Sequence, residues 1–236
     1  MKEMKEMVQA ANAVLVVFII CSAADIFAVW KSSKTVQRIF KPLLMPLLMA
    51  FFILMSLGRG YLQPTAVMVS PNNFVLLALF FGFLGDTFLL GNGVFFTLGL
   101  SSFLIGHVFY ILAFLRNFSI SRVPAAAWPI LAVYVLYSVV ICSRLFPFVS
   151  AKDKPSVIIY MTALLLMSFT AMAQLCALGE PAAALVFAGS LLFIASDTIL
   201  SFQQFKKKGL CAGRGAGVVI MLTYAAAQLL ITVGMI

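Results

Sequence analysis

Eight apolar runs, each about as long as a bilayer is thick, divide this chain from one end to the other. A helix needs about 20 largely apolar residues to cross the hydrocarbon core. The runs fall at 8–30, 42–58, 72–90, 94–115, 125–147, 156–178, 181–203 and 215–236. The loops between them are short and leave no room for a soluble domain. Hydrophobic residues make up 64% of the 236, and charged residues 10%. An average soluble domain has roughly 45–50% and 25%. A soluble fold of this size could not bury so much apolar surface and still cover itself with polar groups. The expected fold is all-α, a polytopic membrane protein forming one transmembrane domain over 1–236. Ordinary soluble, disordered and nucleic-acid-binding chains are excluded.

Local signals mark the boundaries. The first run covers Val8 to Trp30, longer than the apolar stretch of about 7–15 residues in a signal peptide, and reads as a span. Pro42, Pro155 and Pro181 sit where a first helical turn tolerates proline. Gly91-Asn92-Gly93 reads as a tight turn, and Lys206-Lys207-Lys208-Gly209 closes the seventh run. The second run is the shortest and carries Pro46, so a kink or tilt is expected there. Cys21, Cys142, Cys176 and Cys211 form no close pair and read as apolar filler.

The net charge is +9, and the basic residues lie between the runs. One face collects Lys31, Lys34, Arg38, Lys41, Arg144, Lys152, Lys154, Lys206, Lys207, Lys208 and Arg214; the other collects Lys2, Lys5, Arg59, Arg116 and Arg122. The richer face is expected to be cytoplasmic, with both termini outside. The expected location is the plasma membrane, multi-pass, with membrane lipids rather than nucleic acid as partners.

The two halves echo one another. Gly85-Asp86-Thr87 lies late in the third run and Ser196-Asp197-Thr198 late in the seventh, the two acids 111 residues apart. Lys41-Pro42 and Lys154-Pro155 lie 113 apart, opening the second and sixth runs. A weak four-plus-four repeat would be parallel, as in some transporter halves. Chance is the alternative, since the identities are few.

Polar groups inside spans carry the functional signal, because an acid at a helix centre costs about 2.5–3.5 kcal/mol to insert. Asp86 and Asp197 both lie towards the richly basic face. Small neighbours, Gly82 and Gly85 for one and Gly189 and Ser190 for the other, leave space for close packing or for a ligand. Asp25 lies a turn and a half from Trp30 and Lys31 and is expected simply to reach the interface. His107, the sole histidine, falls on a stripe with Phe95, Gly99, Phe103 and Tyr110. Such stripes are more often packing than sites, but a mid-span histidine needs a partner. Tyr224 and Gln228 share one face of the last run, as helix–helix glue or as substrate contacts.

Two carboxyls at one low-dielectric site can divide labour, one staying protonated and one ionised. A protonated acid is what an acid-labile ether-type bond needs. One histidine cannot supply a three-His zinc site; a mixed site of Asp86, Asp197 and His107 stays open as an alternative but has no diagnostic metal spacing. No metal or cofactor is expected. There is no GxSxG to suggest a serine hydrolase.

Taken in order, Lys41-Pro42, Gly85-Asp86 with Leu89, the stripe through His107 and Tyr110, Leu192-Phe193 with Ser196-Asp197, and Tyr224 with Gln228 resemble the YhhN family of integral membrane proteins. Its characterised members are lysoplasmalogenases. The resemblance implies hydrolysis of the vinyl-ether bond of a lysophospholipid, giving a fatty aldehyde and a glycerophospho-headgroup. Asp86 and Asp197 would be catalytic. His107, Tyr110, Tyr224, Gln228 and Ser196 would orient water or the glycerol. Lys41 would meet the phosphate, unless it is a plain topology-setting lysine. The site would face the cytoplasm. The rival reading is a proton-coupled transporter of small molecules or lipids that uses the aspartate pair as a relay.

Overall fold

A computed structural model describes residues 2–59, 71–91, 93–206 and 213–236. Eight helices follow in the expected order: α1 (Lys2–Lys31), α2 (Lys34–Gly58), α3 (Pro71–Phe88), α4 (Val94–Asn117), α5 (Ile130–Leu145), α6 (Lys154–Leu178), α7 (Pro181–Lys206) and α8 (Arg214–Gly234). Short 3-10 turns at 125–127 and 146–148 extend α5 at both ends. Seven helices are long and apolar enough to cross a membrane; α3 is apolar but shorter over Asn73–Phe88. No strand occurs among the described residues. The chain is an all-α polytopic membrane protein.

Chemistry at the helix ends explains several boundaries. Pro181 opens α7 and Pro155 is the second residue of α6, where a missing N–H costs nothing. Gly179 closes α6 at φ +66°, the left-handed cap that glycine adopts freely. Ser32 holds the same region at φ +56° after α1. There Ser33 N–H bonds the Ala28 carbonyl and Ser32 N–H the Val29 carbonyl, a Schellman cap.

The structure corrects one boundary. Pro42 is interior to α2, with Pro46, because the polar stretch Lys34–Lys41 is helical as well. That stretch lacks apolar character and so reads as loop in the sequence. Both prolines remove a helical hydrogen bond. Asn92, Lys207, Lys208, Gly209 and Cys211, which carried parts of the turn, topology and cysteine readings, lie outside the described residues.

Packing repeats between the halves. α3 packs on α2 and α4, and α7 on α6 and α8. α4 lies against α6, and α8 against α2. Exchanging α2 with α6, α3 with α7 and α4 with α8 reproduces the same neighbours, as the echoed acids suggest. α5 is the odd member: most of its surface is exposed, whereas α1 packs closely on α2 and α8.

Small residues set the closest approach. A Cβ at Gly189 would lie 2.8 Å from the Ala227 carbonyl oxygen and from Ile231 Cγ1, so the α7–α8 pair depends on glycine there. Gly189→Val should lower stability by roughly 1–3 kcal/mol, as overpacking does. Thermal unfolding in detergent would register it, with Gly215→Ala, which meets nothing within 4 Å, as the silent control.

Candidate functional site

Among the buried polar residues are two clusters, each ending on a carboxyl that accepts a tyrosine O–H. In the first, Tyr224 of α8 donates to Asp86 Oδ2 at 2.8 Å. Beside it on α8, one turn on, Gln228 accepts from Tyr110 of α4 at Oε1, at 2.5 Å. Lys41 Nζ of α2 lies 3.6 Å from Asp86 Oδ1. In the second cluster, Tyr160 of α6 donates to Asp197 Oδ2. His107 Nε2 lies 3.2 Å from the Tyr160 hydroxyl and 3.7 Å from Asp197 Oδ2. Because the one Tyr160 proton goes to Asp197, its oxygen accepts from His107, which therefore carries a proton on Nε2.

These groups lie deep in the protein. Asp86, His107, Tyr110 and Gln228 are each 1% exposed and Asp197 6%. Buried polar groups are mostly paired, and the first cluster achieves this with side chains from four helices, the second with side chains from three. Two phenylalanines link the relays. The Phe193 ring makes edge contacts with His107 (4.9 Å) and Tyr224 (5.6 Å), and Phe103 makes one with Tyr224 (5.9 Å). Gly85 beside Asp86 makes room for Phe103, whose ring a Cβ there would approach to 2.6 Å.

Two cavities adjoin the clusters. One, of about 40 Å³, is walled by Leu100, Phe103, Leu164, Leu165 and Phe205, with Tyr160 and Asp197 as its polar groups near the relay. That volume holds a few waters, at roughly 10–15 Å³ each. The other, of about 440 Å³, lies between α1, α2, α7 and α8 and reaches Lys41. Leu200 borders both.

The sequence candidates thus fall into two groups, Asp86 with Lys41, Tyr110, Tyr224 and Gln228, and Asp197 with His107. Ser196 stands apart: its Oγ donates to the Ile220 carbonyl at 3.1 Å and ties α7 to α8. The stripe on α4 is buried except at Phe95, which is half-exposed. Lys154 does not repeat the role of Lys41; its ammonium lies over the Phe146 ring at 5.5 Å.

Two residues were missed. Tyr160, near the start of α6, resembles an interfacial aromatic in the sequence. Asp25, expected at the interface, is fully buried, and neither carboxyl oxygen has a hydrogen-bond partner. Lys41 acts electrostatically on both Asp25 and Asp86, which also act on each other. Among the described residues the ion pair that Lys41 makes is with Asp86.

No curated protein and no solved structure matches the chain. The model of the YhhN family matches residues 36–235, which takes in both relays and all helices from α2 to α8. The chain belongs to the YhhN family.

Proposed function

We propose that the protein is a membrane-embedded hydrolase that cleaves the vinyl-ether bond of lysoplasmalogens. The observation that carries this reading is a buried carboxyl, Asp197, on the wall of a mostly apolar cavity that Tyr137, Tyr160, Thr198 and Ser201 also line, with room for a few waters. Vinyl ethers need an acid and a water, and little else. The carboxylic acid of Asp197 gives its proton to the vinyl carbon remote from oxygen. The alkene electron pair forms the new C–H bond, and positive charge settles on the adjoining C–O unit. The resulting carboxylate stabilises that cation at close range in a low-dielectric site. Water adds to the cationic carbon and returns a proton to Asp197. The hemiacetal then releases the glycerol oxygen as an alcohol and leaves a fatty aldehyde.

The relay from His107 through Tyr160 fixes the carboxyl orientation, so the proton is presented in one direction. Asp86, held by Tyr224 and balanced by Lys41, supplies the second carboxylate and orients the polar end of the lipid. The apolar residues around the cavity take the alkenyl chain.

The test uses purified protein in detergent with lysoplasmenyl-ethanolamine and, separately, ester-linked lysophosphatidylethanolamine. Aldehyde release from the vinyl ether, with no fatty acid from the ester, is expected. Folded protein that yields no aldehyde overturns the reading, and proteoliposome flux is then the measurement that examines transport.

A further inference from the structure

The larger cavity is distinguished by its charge. Lys34 opens α2 and Arg214 opens α8, and both contribute to its wall together with Lys41. Gln37 and Gln203 add amide groups, and Gln203 Nε2 donates to the Gly213 carbonyl at 3.2 Å, tying α7 to the start of α8. No acid lines the cavity. Lys34 and Arg214 form no ion pair among the described residues. Two cations without an anion, Lys34 and Arg214, around about 440 Å³ of space form a receptor for an anion.

The smaller cavity gives the contrast. It lies beside Asp197 between α4, α5, α6 and α7, and its wall carries no Lys or Arg. The two cavities are of opposite character, one mostly apolar and one basic.

We propose that the cavity between α1, α2, α7 and α8 binds a phosphate ester, with Lys34 and Arg214 as its principal ligands. Lys41 is not free for this task, because it pairs with Asp86. It marks instead where the phosphate site meets the Asp86 relay. Guanidinium and ammonium groups suit a phosphate well, Arg by a two-pronged hydrogen bond and Lys as a point charge. The assignment deepens the hydrolase reading by locating the headgroup, yet binding can be measured without turnover.

The experiment titrates the Asp197→Asn protein, in a neutral maltoside detergent, with lysophosphatidylethanolamine and with a monoacylglycerol of the same chain. The lysophospholipid should bind more tightly. Lys34→Gln with Arg214→Gln should weaken it by about tenfold for each cation removed, the size typical of hydrogen bonds to charged groups, and leave the monoacylglycerol unchanged. Both side chains are exposed at the cavity mouth, so the substitutions should not unfold the protein. Inorganic phosphate and glycerophosphoethanolamine serve as competitors. Displacement by inorganic phosphate identifies a site for the free ion as well; displacement only by glycerophosphoethanolamine identifies a headgroup site. Equal binding of the two lipids, or no loss in the double variant, overturns the proposal. Phosphate-dependent binding in a protein that releases no aldehyde would retain this site and sink only the hydrolase reading.

Discussion

Asp197→Asn should reduce aldehyde release by roughly 10²–10⁴-fold or more, the range general acid catalysis supplies. The amide has the shape of the carboxyl but no proton to give to carbon. Its oxygen can still accept from Tyr160, so the α6–α7 contact survives and the unfolding temperature should stay near that of the parent. Tyr160→Phe makes a graded comparison. It removes the hydrogen bond that aims the carboxyl and interrupts the link to His107, while the acid itself remains. Turnover should fall less than in Asp197→Asn. Rates of aldehyde formation and unfolding temperatures, measured on the same preparations, check both. An Asp197→Asn protein with a near-normal rate would remove this carboxyl from the chemistry.

The spans were legible because hydropathy alone forces them, and the boundaries at Pro155, Pro181 and Gly179 because each residue has one inexpensive place in a helix. The start of α2 was not, since Lys34–Lys41 is helical without being apolar. Asp86, Asp197 and His107 stood out because a polar group in a span demands a partner, and the structure supplies one to each. The partners were harder. Tyr160 lies two helices away from His107 in sequence, and nothing in its neighbours separates it from an aromatic at the membrane boundary. Tyr224 and Gln228 had the correct spacing, but their link to Asp86 crosses 138 residues. Ser196 reads as orienting because a hydroxyl beside an acid looks functional; in the structure its proton goes to a carbonyl on α8. Asp25 was misjudged because distance from a helix end does not measure burial. The packing of α2 and α8 on α1 encloses it. The repeated acids pointed to a real repetition in packing, while Lys41 and Lys154 diverged in use.

Lys41→Met should be among the most destabilising single changes in the protein. The ammonium lies 3.6 Å from the buried Asp86 carboxyl, and Asp25 on the neighbouring helix is a second buried carboxyl, with no hydrogen-bond partner. A methionine fits the same volume but leaves Asp86 without its cation. Breaking a buried pair from one side typically costs about 3–5 kcal/mol, because the remaining charge stays out of water. Arg38→Met provides the contrast. Arg38 lies on the same helix but is exposed, and an exposed charge contributes only about 0–1 kcal/mol. The two variants should differ clearly in denaturant unfolding from mixed micelles. If uncompensated charge is the cause, adding Asp25→Asn to Lys41→Met should recover part of the loss, and adding Asp86→Asn as well should recover more. Aldehyde release should not return with stability in the triple variant, since it lacks the Asp86 carboxylate. Equal stability of Lys41→Met and Arg38→Met would mean that the lysine only sets topology and that Asp86 needs no counterion.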